Sequence, residues 1–140
     1  MPEIAIKAQL GNLPKILEFI REKVSAFGLS EQALYEFEVA CEEALVNIIL
    51  YAYPESPGEM SVEFSGLGDI CTVTVKDTGV RFDPTLEEIK VDPDMPLESR
   101  EEGGLGIYFM HMYTSKLTYE RIGDENVLKL VRDKSEKETF

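Results

Sequence analysis

One helical run sets the terms on which this chain can fold. From Ser30, a good N-cap, to Ala52, just before Pro54, apolar residues recur at helical spacing. Leu34, Phe37, Cys41, Ala44, Leu45, Ile48 and Ala52 form one stripe. Ala40, Glu43, Asn47 and Leu50 project from a neighbouring face. Glu43 and Asn47 lie four residues apart, so they stack on one helix face. Val46 and Ile48-Ile49-Leu50 make their surroundings almost wholly apolar, and polar groups in such a place need partners. Taken by themselves, the two also read as a solvated helix acid and a core-satisfied amide.

The remaining pattern switches between a period of two and a helical period. Ile4, Ile6, Ala8 and Leu10 suggest a first strand. Asn12 as N-cap, Pro14 in the first turn and Gly28 at the stop frame a helix carrying Ile16, Phe19, Ile20, Val24 and Phe27. Met60, Val62 and Phe64 alternate with polar residues, Gly66-Leu67-Gly68-Asp69 makes a hairpin loop, and residues 70–76 form the next strand, with Cys71, Val73 and Val75 on one face. Residues 83–103 hold Pro84, Pro93 and Pro96 and look irregular; the expectation is a mobile lid, and a surface loop is the alternative. Gly106 leads into a helix with Ile107, Met110 and Met112, and two strands follow, 117–121 and 127–131, around a turn at Gly123-Asp124. The order β-α-α-β-β-lid-α-β-β predicts an α+β two-layer sandwich. Its sheet should be mixed but largely antiparallel, because the strands come as hairpins, and its helices should cover one face. One domain over residues 1–133 and a polar tail over 134–140 are expected.

The formal charge is -13, from 27 acidic and 14 basic side chains. Such a chain repels nucleic acid, whose binding rests on neutralising phosphates, and it should also avoid anionic lipid. A basic partner protein matches it, as does solubility alone. No apolar run approaches the roughly 20 residues of a membrane span, and no signal peptide opens the sequence, so a cytoplasmic location is expected. Cys41 and Cys71 read as free buried thiols, and with His111 the only histidine they make no zinc site. His111 itself reads as structural or exposed.

Two further pieces carry chemistry. Asp77-Thr78-Gly79 ends a strand in an acidic turn. A fixed carboxylate there can accept from an exocyclic amine, and glycine lets a flat ring approach the backbone. A plain turn has the same residues. Gly103-Gly104-Leu105-Gly106 frees backbone N–H groups at a helix start, where the helix dipole favours phosphate. It is not a P-loop, since no Lys-Ser/Thr follows, nor a Rossmann turn, since no strand immediately precedes it.

In this order the pieces resemble the Bergerat ATP-binding fold of gyrase, the heat-shock chaperone, histidine kinases and mismatch-repair ATPases. Glu43…Asn47 is similar to that superfamily's N box, Asp77-Thr78-Gly79 to its G1 box and Gly104-Leu105-Gly106 to its G2 box, over about residues 4–132. Glu42-Glu43-Ala44, Asn47, Ala52-Tyr53, Phe82-Asp83-Pro84 and Gly103-Gly104-Leu105-Gly106-Ile107 resemble the anti-sigma factor serine/threonine kinases. The resemblance implies Mg²⁺ and ATP as cofactors. It makes Glu43 the general base, Asn47 the magnesium ligand and Asp77 the adenine reader. Gly79 would line the base pocket, Gly103, Gly104, Leu105 and Gly106 would meet the phosphates, and residues 84–103 would form the lid. It further implies a STAS-domain anti-anti-sigma partner phosphorylated on serine or threonine, a sigma factor as second partner, and a homodimer. Two departures stand out: Tyr51 occupies a position where many relatives carry histidine, and Asn126-Val127-Leu128-Lys129 lacks the last-strand threonine common in the superfamily.

Two functions follow as expectations. The first is a protein serine/threonine kinase in a partner-switching pathway. The second is a non-catalytic, nucleotide-gated adaptor that sequesters a regulator. Retention of Glu43 favours the first, because binding alone requires no base. An ATPase with water as acceptor is a third possibility, and a full histidine kinase would need a helical pair for which 140 residues leave no room.

Overall fold

A computed structural model describes residues 2–85 and 104–136. The first strand, β1 (Glu3–Lys7), runs through a 3₁₀ turn into α1 (Leu13–Phe27) and α2 (Glu31–Asn47), and α2 continues as a π-helical turn over Ile48–Ala52. The hairpin β2 (Glu59–Leu67) and β3 (Ile70–Asp77) comes next, then α3 (Gly104–Met112), then the hairpin β4 (Lys116–Ile122) and β5 (Glu125–Asp133). The element order is the one the sequence predicts. The match of the N box segment to a helix end, however, includes a widened turn that periodicity does not reveal.

Local chemistry explains the element ends. Ser30 is extended, and its Oγ accepts the Ala33 N–H at 3.1 Å, a side-chain cap on α2. Gly28 closes α1 in the left-handed region at φ 102°. Asn12 precedes α1, as expected, but does not cap it: its amide donates instead to the Lys7 carbonyl at 2.9 Å. Both hairpins turn on a Gly-Asp pair. Gly68 and Gly123 take φ 61° and 63°, and only the first turn residue is left-handed, the pattern of a type II′ turn.

The strands lie in the order β1-β2-β3-β5-β4. Every pairing among the described strands is antiparallel, so the sheet expected to be mixed is more uniform than that. Hairpins account for β2–β3 and β4–β5, and the crossover through α3 returns β5 antiparallel to β3. Cys71, Val73 and Val75 on β3 are fully buried under the helices, while Thr72, Thr74 and Lys76 face a shallow groove on the helix-free side.

The core lies between the sheet and α1–α2. Ile16, Ile20 and Val24 recur every four residues on α1, and all are buried against Phe37, Cys41 and Leu45 of α2 and Val62 of β2. Each such side chain contributes about 1.5–3 kcal/mol by leaving water. Both thiols are free and buried, and burial pushes Cys71 up to about 11 and Cys41 well above the ordinary thiol range.

Inside this core sits a charge pair that the apolar stripe conceals. Glu36 of α2 is 0% exposed and Arg132 of β5 is 2% exposed, and Arg132 Nη2 donates to Glu36 Oε1 at 3.0 Å. Arg132 Nη1 donates to the Tyr113 carbonyl at 2.9 Å, just beyond α3. One guanidinium thus ties α2, β5 and the end of α3 together. Among the described residues, no helix is long and apolar enough to cross a membrane.

Candidate functional site

Glu43 and Asn47 occupy the last turn of α2, where the helix is about to widen into the π turn. Single π turns collect at functional sites because they redirect side chains that a regular helix would stack. The N–H of Ile48 splits between the Ala44 and Leu45 carbonyls as the change begins.

Glu43 reaches the start of α3. Gly106 is buried, and a Cβ placed on it would stand 2.6 Å from Glu43 Oε2. Only a glycine leaves room for the carboxylate there. Gly104, Leu105 and Gly106 form the first turn of α3 itself rather than a loop before it. Their backbone N–H groups are therefore among the four that a helix start leaves without intrahelical acceptors. Gly103 and residues 86–103, which hold most of the expected lid, lie outside the described residues.

Burial holds the Glu43 carboxyl above its ordinary pKa, and the charge of neighbouring Glu42 adds to the effect. Both causes disfavour the anion, so the group takes up a proton more readily than an exposed glutamate would. Asn47 Nδ2 is buried and has no hydrogen-bond partner among the described residues. A buried amide without a partner is costly, so this side chain is a candidate for contact with a ligand or an ordered water. Turning that amide by half a rotation would place its oxygen at the same point.

Asp77 ends β3 and is 5% exposed. Its Oδ1 accepts from the Gly79 N–H at 2.8 Å and from Asn126 Nδ2 at 2.9 Å. Asn126 stands opposite Asp77 in the β3–β5 register. The turn after Asp77 is held at every step: the Thr78 N–H donates to the Tyr53 hydroxyl at 2.8 Å, and the Val80 N–H to the Ala52 carbonyl at 2.8 Å. Gly79 presses on the π turn so closely that a Cβ would meet the Ala52 carbonyl oxygen at 2.2 Å.

A cavity of about 120 Å³ opens between these parts. Asn47 and Asp77 line it, with Ala44, Ile48, Met110 and Leu128 as apolar wall, and Tyr119, Asn126, Arg81 and Phe82 around them. Glu43 and Gly106 meet each other nearby on α2 and α3. Of the expected residues, Asn47 and Asp77 line the cavity, Gly79 packs on the π turn, and Glu43 meets Gly106 outside the lining. Apolar walls with a few fixed polar groups suit a small organic ligand. Among the described residues there is no cluster of three or more His, Cys, Asp or Glu side chains that could hold a metal ion. Asn47 carries an amide oxygen of the hard, neutral kind that magnesium takes beside water and phosphate.

His111 Nε2 lies 3.0 Å from the carbonyl of Pro84, one of the residues lining the cavity, and ties α3 to the segment after β3. Sequence reasoning missed Asn126, Tyr119 and Arg121. Arg121 Nη1 donates to the Gly79 carbonyl at 2.8 Å and to Asn126 Oδ1 at 3.0 Å. The one available signal was Asn126 itself, a polar residue with poor strand propensity at the head of an apolar strand.

Residues 6–132 match the family described as histidine kinase-like ATPase domain. Among curated proteins, the chain is similar to the serine-protein kinase RsbW of Bacillus cereus (strain ATCC 10987 / NRS 248), 33% identical over 87 residues, which are 60% of this chain and 54% of that protein. The serine-protein kinase RsbW of Bacillus mycoides (strain KBAB4) is 32% identical over 87 residues, with the same 60% and 54% covered. The chain spans about half the length of the curated relatives it matches. Among solved structures, it is similar to the RsbU and RsbW domains of Rv1364c from Mycobacterium tuberculosis, with a TM-score of 0.59 and 15% identity over 95% of this chain and 32% of that one. That likeness shows a shared fold.

Proposed function

The chain belongs to the histidine kinase-like ATPase domain family, and from that premise we propose that it is an ATP-dependent protein serine/threonine kinase. The contact between Glu43 and Gly106 carries this reading: it sets a carboxylate with a raised pKa beside the first turn of α3. A site that only bound nucleotide would have no use for a base there.

The roles follow from each residue's surroundings. Asp77 presents a carboxylate oxygen to the exocyclic amine of adenine, and Gly79 forms part of the wall behind it. Gly103, Gly104, Leu105 and Gly106 offer N–H groups to the phosphates, and Asn47 is the protein ligand for Mg²⁺. The metal, when bound, would neutralise charge developing on the phosphoryl oxygens. Glu43 takes the proton of an acceptor hydroxyl. The hydroxyl oxygen bonds to the γ-phosphorus as the bond to the ADP oxygen breaks, leaving a phosphoserine or phosphothreonine and ADP.

The acceptor we propose is a STAS-domain anti-anti-sigma protein, with a sigma factor as the alternative partner and a homodimer as the working form. The names of the relatives support a serine kinase, and the acidic surface suits a protein partner rather than nucleic acid. Incubation with labelled Mg-ATP and candidate STAS proteins tests the proposal. Label should move to a partner serine or threonine with wild-type protein and not with Glu43→Ala, which should still bind nucleotide. Asp77→Asn should weaken binding itself. Stable ATP-dependent complexes without transfer would instead identify a non-catalytic adaptor, and equal transfer by the Glu43 variant would remove its role as base.

A further inference from the structure

Asn126 is the most heavily used side chain at the cavity, and none of its bonds points to a ligand. Its Nδ2 faces three oxygens: Asp77 Oδ1 at 2.9 Å, the Val80 carbonyl at 3.0 Å and the Gly79 carbonyl at 3.4 Å. Its Oδ1 faces two donors, the Tyr119 hydroxyl and Arg121 Nη1. The surroundings settle which amide atom is which, since a flipped amide would set a carbonyl against three oxygens and an NH₂ against two donors. An asparagine amide puts two N–H donors on one side and a carbonyl acceptor on the other, and no isostere of it does both. Aspartate would repel Asp77, and leucine would bond to nothing.

The consequence falls on Asp77. Its Oδ1 is filled by two N–H donors, from Gly79 and Asn126, and none of the hydrogen bonds among the described residues uses Oδ2. A carboxylate held this way cannot swing about its side-chain torsions to suit a different ligand. Only Oδ2 is left for an incoming donor, in one direction.

We propose that Asn126, braced by Tyr119 and Arg121, is a positioning residue that locks the Asp77 carboxylate and thereby makes the site select a 6-amino purine over a 6-oxo purine. The inference rests on reading the cavity as the purine pocket of the proposed kinase. A 6-amino purine offers an N–H where Oδ2 waits. A 6-oxo purine offers a carbonyl oxygen there, and its nearest donor is the ring N1–H. A carboxylate free to rotate would follow that donor and recover the lost bond; a locked one is left facing an oxygen. Discrimination therefore comes from the lock as well as from the carboxylate, since an unsatisfied buried acceptor is more costly than a weak bond is useful.

Equilibrium binding of ATP and of inosine triphosphate tests this in wild type, Asn126→Ala and Tyr119→Phe. Wild type should prefer ATP by about tenfold or more, the worth of one charge-assisted bond. Asn126→Ala should weaken ATP binding and strengthen inosine triphosphate binding, as the freed carboxylate follows N1–H, so that the roughly tenfold ratio approaches one. Tyr119→Phe removes one of the two donors to Asn126 Oδ1, leaves the fold intact and should give an intermediate ratio. A purely structural part for Asn126 would lower both affinities together and leave the ratio unchanged, which would overturn the inference alone. Wild-type protein that binds neither nucleotide would sink the purine-pocket reading and this inference with it.

Discussion

Glu43 and Gly106 meet at a distance that no side chain could share, since a Cβ on Gly106 would lie 2.6 Å from Glu43 Oε2 and 3.4 Å from Cδ. The two residues come from elements separated by the whole β2–β3 hairpin. Their meeting joins the end of α2 to the first turn of α3.

Gly106→Ala should therefore separate stability from activity. The atom in the way is the far end of a flexible glutamate, so the fold can yield. Alanine also favours a helix over glycine by about 1 kcal/mol. Thermal unfolding should show Tm unchanged or slightly raised. Phosphoryl transfer should fall about 100-fold, because the displaced carboxylate no longer reaches the acceptor proton. A variant with full transfer would show that Glu43 works from some other position.

Gly79→Ala should do the opposite. Its Cβ would meet the backbone carbonyl of Ala52 at 2.2 Å, and backbone cannot swing away as a glutamate can. Denaturant unfolding should show a loss of about 1–3 kcal/mol. The Val80 N–H bond to the same carbonyl should open, exposing that amide to hydrogen exchange.

The raised pKa of Glu43 gives a pH signature. Transfer needs the carboxylate, so the rate should fall on the acid side with a midpoint above 4.5, the ordinary value. Burial is the larger cause and Glu42 the lesser. Glu42→Gln should move the acid limb toward 4.5 without reaching it. Stability runs the other way. The folded state holds this proton more tightly than the unfolded chain, so the contribution is present below the unfolded pKa and is lost as pH rises through the folded one. Glu43→Gln, which is never charged, should thus be more stable than wild type at neutral pH while failing to transfer. Calorimetry across pH reads both.

The buried pair of Glu36 and Arg132 offers a test of the core. Arg132→Met takes the guanidinium away from Glu36 Oε1 and leaves a buried carboxylate without that counter-charge, while Gln32 still donates to Oε2 at 3.3 Å. Breaking such a pair from one side costs about 3–5 kcal/mol. Replacing both, as Glu36→Leu with Arg132→Met, should recover most of that loss. Urea midpoints of the two variants give the comparison, and equal losses would show that the pair does more than neutralise itself.

How far the sequence could be read follows from the range of each interaction. Glu43 and Asn47 are one helical turn apart, and the Asp77 and Gly106 motifs are local strings, so spacing and glycine content carried them. The hairpins were legible because Gly68 and Gly123 supply the left-handed residue that a two-residue turn needs. Asn126 was not legible, because its part depends on facing Asp77 across a strand register, 49 positions away. Glu36 and Arg132 are 96 positions apart and sit in otherwise apolar patterns, where neither charge announces the other. Asn12 looked like a cap, but a nearer carbonyl at Lys7 took its amide.

Five backbone groups of the turn after β3 already have protein partners: the N–H groups of Thr78, Gly79 and Val80, and the carbonyls of Gly79 and Val80. This side of the cavity is finished when the chain folds. A guest meets a cast mould here, and the entropy of setting it is spent before any guest arrives. Heat absorbed or released on binding at this wall should therefore report contact with the guest and almost no rearrangement of the host.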